Sequence, residues 1–187
     1  MDHFYDSIPG WFDFADVYAE MVRIAPTPAR FVEVGAALGK STAFLAVEII
    51  NSGKAIRFDV VDAWPDDWKQ VRDLDTTEPT IPFYERFMRN MRAGGVADIV
   101  HPIWAHSVQA AGVFGDQSCD FVWLDAAHDY EAVRADLQAW IPKVKPGGWI
   151  GGHDFNRHCS GVVMAVLNEL TDHEWQVRRN SWLWLKP

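Results

Sequence analysis

Residues Phe31 to Thr42 read FVEVGAALGKST, an apolar run that ends in an acid, passes through two glycines and opens into a helix-forming stretch. A short buried strand would carry Glu33 to its carboxyl end. Gly35 and Gly39 would let the backbone turn tightly against a ligand, and Ser41 and Thr42 would begin the next helix. That is the layout of a cradle for a nucleotide-type cofactor.

Spacing narrows the choice of cofactor. The segment GAALGKST imitates a phosphate-binding loop, but three residues separate Gly35 from Gly39 where that loop needs four. One missing residue changes which amides converge on the phosphates. The dinucleotide fingerprint fits no better, because its first, third and sixth positions fall on Gly35, Ala37 and Lys40. The acid itself suggests another ligand. A carboxylate at a strand end repels phosphate yet accepts hydrogen bonds from an ammonium group, which favours a zwitterionic ligand such as S-adenosylmethionine.

Around this segment, strand and helix signals alternate from Arg30 to about Leu170, as in a parallel sheet with helices on both faces. Strands are expected at Arg30 to Val34, Ile56 to Asp62, Ile99 to Trp104, Phe121 to Asp125 and Trp149 to Gly152, the last after a turn at Lys145-Pro146-Gly147-Gly148. Helices are expected around Trp11 to Ile24, Ser41 to Asn51, Phe83 to Ala93, Tyr130 to Ile141 and Gly161 to Leu170. The runs EWQVR and SWLWL, at Glu174 to Arg178 and Ser181 to Leu185, read as an antiparallel hairpin at the sheet edge. The expected fold is thus α/β and Rossmann-like, a seven-stranded and mostly parallel sheet with helices on both faces and a C-terminal antiparallel hairpin. It forms one domain over residues 1–187, with 1–29 as a helical cover. Residues 64–82, with three prolines and two tryptophans, Trp64 and Trp68, are expected to form a lid loop.

Composition excludes several partners. The net charge of -9 opposes a nucleic-acid backbone, and no basic cluster beyond Arg178 and Arg179 compensates. No apolar run is long enough to span a bilayer, and the N-terminus MDHFYDSIPG lacks the regions of a signal peptide, so a cytoplasmic protein is expected. Self-association stays open. Cys119 and Cys159 make neither a disulfide framework nor a thiolate metal site, and both are expected to be buried small hydrophobes.

In an open parallel sheet ligands bind beyond the carboxyl ends of the strands. The second strand ends at Asp62, 27 residues beyond Gly35, where an acid reaches a ribose diol. Ala63 and Trp64 follow, and the indole could cover an adenine face. After the third strand, Ser107 serves either as a helix N-cap or as an adenine partner. The fourth strand delivers Asp125, then His128, with Asp129 placed as the cap of the next helix. The fifth delivers His153 and Asp154. Two strands thus each bring a carboxylate and an imidazole to one edge. Asp125 with Asp154 would suit Mg²⁺ or another divalent cation, and without a metal His128 or His153 could deprotonate an acceptor directly.

With these residues in place the chain resembles the class I S-adenosylmethionine-dependent methyltransferases, in particular the methyltransferase-24 family. The matching pieces are IPGWF, FVEVGAALGKST, VVDAW, RNMRAGGV, LDAAHDYEAVRADLQAW and KVKPGGWIGGHDF, in order along nearly the whole chain. The resemblance implies S-adenosylmethionine as cofactor. It places Glu33, Gly35, Ala37, Gly39, Ser41 and Thr42 by the methionine part, Asp62 by the ribose, and the adenine pocket near Ala63, Trp64 and Ser107. Asp125 sits beside both ligands. Related catechol-type and sugar O-methyltransferases carry acids after the fourth and fifth strands, matching Asp125 and either His153 or Asp154. Where many relatives read Asp-Gly-Asp-His, this chain has Asp125-Ala126-Ala127-His128. The expected activity is methyl transfer to a small-molecule hydroxyl, with Asp125, His128, His153 and Asp154 deprotonating the acceptor. The alternatives are an NAD-dependent oxidoreductase and a cofactor-binding module without catalysis.

Overall fold

The computed structural model describes residues 1–65, 81–171 and 173–187. The expected lid loop therefore lies almost wholly outside the described residues, Trp68 included. In chain order the elements are α1 (Ala15–Ile24), β1 (Ala29–Val34), α2 (Lys40–Ser52), β2 (Ile56–Asp62), α3 (Phe83–Ala93), β3 (Val100–Trp104), α4 (Ser107–Ala111), β4 (Cys119–Leu124), α5 (Tyr130–Trp140), β5 (Val144–Gly152), α6 (Ser160–Glu169), β6 (Trp175–Arg178) and β7 (Ser181–Leu185). The strands form one sheet in the order β3-β2-β1-β4-β5-β7-β6, with β7 antiparallel to both of its neighbours and the other pairs parallel.

Alternation along each strand sorts side chains into two apolar layers. Phe31, Phe58, Val60, Phe121 and Trp123 face α1, α2 and α3. Val32, Val34, Val61, Val122, Leu124 and Ile150 face α4, α5 and α6. Helix α2 is held tightly because every side chain from Ser41 to Val47 is buried. Helix α1 ends against Lys54, whose ammonium donates to the carbonyls of Val22, Arg23 and Ala25 at 2.9, 2.7 and 2.8 Å. A cation at a helix C-terminus satisfies orphan carbonyls and complements the helix dipole.

Three elements depart from expectation. Helix α1 begins at Ala15 rather than Trp11, because Phe12 and Phe14 enter an aromatic cluster with Phe44, Tyr18 and Trp123. The expected turn at Lys145 to Gly148 lies inside β5, where the register jumps from the Cys119–Val144 pair to the Phe121–Trp149 pair. Gly147, at φ +75°, absorbs that bulge. Helix α4 follows β3 where Ser107 was a cap candidate, but Ser107 is its first residue and His106 its N-cap. Among the described residues, no helix is long and apolar enough to cross a membrane.

Candidate functional site

The strand order reverses between β1 and β4, and the crevice beyond their carboxyl ends is the usual ligand position in such a sheet. The Gly35–Gly39 turn forms one wall. Gly35 has φ +93°, and a Cβ there would lie 2.0 Å from the carbonyl oxygen of Asp125. Only a residue without a side chain lets the two backbones approach this closely where they leave β1 and β4. The turn is fixed from below by Asp62. Its Oδ2 accepts from the amides of Ala36 and Ala37, each at 2.8 Å, and its Oδ1 accepts from the amide of Trp64 at 2.6 Å.

Glu33 points away from the crevice. It is 0% exposed, and its carboxylate accepts hydrogen bonds from Tyr18 Oη at 2.9 Å, Ser41 Oγ at 2.6 Å and Thr42 Oγ1 at 2.5 Å. The three hydroxyls stand where an ammonium group was expected, and Ser41 and Thr42 face the acid rather than a ligand. The carboxylate thereby locks the start of α2 to the end of β1.

Burial raises the Glu33 pKa to about 7, against an opposing pull from the Ser41, Thr42 and Tyr18 hydrogen bonds. The folded protein thus keeps a proton that the unfolded chain sheds near pH 4.5. The contribution of this group to stability is complete below that pH and is lost as pH rises toward 7, about 3 kcal/mol in all. The Glu33→Gln variant cannot titrate, so its melting temperature should decline less over this window than that of the wild type. Asp125 and Asp136, both raised to about 6 by burial, act in the same direction in both proteins. Parallel profiles would refute the assignment to Glu33.

The ends of β2 and β3 differ from expectation in their aromatic groups. Trp64 is 1% exposed, packs on Tyr84 and Phe87, and donates from Nε1 to Ala37 O at 3.0 Å. It braces the turn from the core side. The exposed indole at this corner is Trp104, at 55%. It stacks on Tyr84 at 4.9 Å and donates to the carbonyl of Ala63 at 2.7 Å. Nothing in the sequence marks this exchange, since Trp104 closes β3 and Trp64 follows two residues after the end of β2. Ser107 is the first residue of α4, whose N-cap is His106. Its hydroxyl accepts from Trp140 Nε1 at 2.9 Å and bonds Asp136, so it turns toward α5.

The other wall gathers the expected acids and imidazoles. The Asp125 amide donates to Val34 O at 2.8 Å, which sets that residue directly across from the glycine turn. Asp154 is held at φ +56°, an unusual conformation for a non-glycine residue. Its Oδ2 lies 2.8 Å from His128 Nε2. His153 Nδ1 lies 3.8 Å from Asp125 Oδ1 and 3.6 Å from Asp154 Oδ2. One donor atom each from Asp125, His128 and Asp154 lies within 4.8 Å of the others. Burial drives the Asp125 carboxyl up to about 6, the His153 charge opposing it. The hydrogen bond from His128 lowers Asp154, and the same bond raises His128.

Two neighbours escaped the sequence reading. Asp13 pairs with His153 Nε2 at 2.8 Å across 140 residues, a separation that no spacing rule spans. Cys159 is half-buried rather than buried, and its thiol bonds Asp154. Asp129 caps α5 as expected, accepting from the amide of Ala132 at 3.0 Å.

A mostly parallel seven-stranded sheet, with a glycine turn and acids at its switch point, defines a Rossmann-like protein of the kind that holds a nucleoside cofactor. The family model described as "Methyltransferase domain" matches residues 32–155, and the chain belongs to that methyltransferase family.

Solved structures agree on the fold. The O-methyltransferase NovP is similar at TM-score 0.68 and 18% identity, over 92% of this chain and 79% of its own. Cofactor-bound Rv0187 from MTB is similar at 0.61 and 18%, over 92% and 87%. A SAM-dependent O-methyltransferase from Thermotoga maritima is similar at 0.62 and 14%, over 92% and 64%. Among curated proteins, the uncharacterized protein y4gI of Sinorhizobium fredii is 26% identical over 176 residues, covering 86% of this chain. The chain spans only 17% of the length of that curated relative.

Proposed function

We propose that this chain transfers a methyl group from S-adenosylmethionine to a hydroxyl of a small molecule. The observation that carries the reading is the cluster of Asp125, His128, His153 and Asp154 facing the Gly35 turn across the switch-point crevice. A glycine turn holds a nucleoside cofactor, and an acid–imidazole cluster beside it suits removal of a proton.

The cofactor, when bound, supplies a methyl group already made electrophilic by its sulfonium. The protein then has two tasks, alignment and deprotonation. Gly35, Ala37 and Gly39 shape the turn for the methionine part, with Ser41 and Thr42 acting on it through Glu33. Asp62 stands at the ribose position, and Ala63 with the exposed face of Trp104 borders the adenine end. The acceptor hydroxyl would lie against Asp125, His128, His153 and Asp154, which take its proton.

The same cluster fits a divalent cation. Asp125, His128 and Asp154 would hold it, and two carboxylates with one imidazole suit Mn²⁺ or another first-row ion as well as Mg²⁺. Such an ion would supply positive charge near the hydroxyl. The partner is a small molecule rather than a nucleic acid, given the net charge of -9.

The test is production of S-adenosylhomocysteine across a panel of phenols, catechols and sugars. Acceptor-dependent formation with at least one of them is expected. Hydride transfer to NAD from an alcohol of the panel, without S-adenosylhomocysteine, would overturn the reading and restore the oxidoreductase alternative.

A further inference from the structure

Asp13 lies in the segment before α1 and is 41% exposed at its side chain, yet it is held from three sides. Its Oδ1 meets His153 Nε2 at 2.8 Å. Its Oδ2 accepts from Asn180 Nδ2 at 2.9 Å, and its backbone carbonyl from Arg179 Nη1 at 3.5 Å, both residues belonging to the turn between β6 and β7. The ring of Phe14 packs 4.8 Å from the imidazole. The N-terminal segment, the end of β5 and the C-terminal hairpin therefore meet on one carboxylate.

A carboxylate only accepts hydrogen bonds, so the ring nitrogen at 2.8 Å carries the proton. The other nitrogen has opposite company. Nδ1 looks toward Asp154 Oδ2 at 3.6 Å and Asp125 Oδ1 at 3.8 Å, both beyond a proper hydrogen bond. These two carboxylates would draw the proton to Nδ1 if nothing held it at Nε2. Distance decides for Asp13, because a charge-assisted bond needs the shorter contact.

We propose that Asp13 is a positioning residue that holds His153 as the Nε2–H tautomer, with the Nδ1 lone pair turned toward Asp125 and Asp154. The catalytic meaning of this rests on the methyl-transfer reading. The hydroxyl proton moves to Nδ1 as the new carbon–oxygen bond forms and the carbon–sulfur bond breaks, leaving an imidazolium and a neutral thioether. Asp13 touches none of the reacting atoms. It selects the nitrogen that is free to act and then stabilises the charge that forms on the ring.

The tautomer can be read directly in protein labelled with ¹⁵N-histidine, at a pH where the imidazole is neutral, with the His153 signal assigned from a His153→Gln variant. The wild type should show Nε2–H. The Asp13→Ala variant should move His153 toward Nδ1–H while the five histidines outside the cluster keep their signals, which verifies the fold. With an acceptor identified by the panel, the variant should lose tenfold or more in kcat, with KM for S-adenosylmethionine unchanged. A wild-type His153 protonated at Nδ1 would overturn the proposal, as would an Asp13→Ala variant with an unaltered tautomer. A variant that changed KM alone would also overturn it. The tautomer is measured without cofactor, so failure of S-adenosylmethionine to bind would refute the methyl-transfer reading and leave this result standing.

Discussion

Gly35→Ala should abolish cofactor binding and cost the fold roughly 2–5 kcal/mol, the sum of a left-handed alanine and an overpacked backbone contact. The added Cβ would sit 2.0 Å from the Asp125 carbonyl oxygen and 2.4 Å from its carbonyl carbon, at φ +93°. Neither atom belongs to a flexible side chain, so relief requires β1 and β4 to move apart. That movement displaces the amides of Ala36 and Ala37 from Asp62, and with them the wall of the crevice. For a chain of this size the loss corresponds to a melting temperature lower by about 4–20 °C. Thermal unfolding and calorimetry with S-adenosylmethionine together read the result. A variant with wild-type melting temperature and affinity would show that the turn does not form the cofactor wall.

The second large effect belongs to the opposite wall. Asp125→Asn combined with His128→Ala should lower turnover by roughly 10²–10⁴-fold, the usual range for disabling positioned acid–base machinery, here the cluster around the His153 imidazole. Most of the S-adenosylmethionine affinity should remain. Asparagine keeps the shape of Asp125, and the 2.8 Å backbone bond to Val34 is untouched. The losses should not add, because both side chains belong to one cluster through Asp154 and His153. The double variant should therefore resemble the more damaged of the two single variants. Turnover that persisted in the double variant would move the chemistry elsewhere.

The fold was legible because each strand is a short apolar run that stops at a polar group, and each helix shows a buried stripe. Glu33, Asp62, Asp125 and His153 mark the ends of β1, β2, β4 and β5 closely. Less legible were features without a period. Helix α4 has five residues, too few for an amphipathic pattern, and the bulge in β5 carries the Pro-Gly-Gly that usually marks a turn.

The candidate site was legible as a set of residues but not as a set of directions. Glu33 and Trp64 lie where expected along the chain, yet both turn into the core, because hydroxyls from α1 and α2 reach one and rings from α3 enclose the other. Orientation of that kind depends on helices packed from distant parts of the sequence. Asp13 is the extreme case, with a partner 140 residues away.

The central claim, that the crevice between β1 and β4 holds a sulfonium nucleoside, is tested most directly by isothermal titration of the wild-type chain with S-adenosylmethionine, NAD and ATP in parallel. Saturable binding of S-adenosylmethionine, lost in Gly35→Ala, is expected, with no binding of the other two. Saturable binding of NAD or ATP with none of S-adenosylmethionine would contradict it.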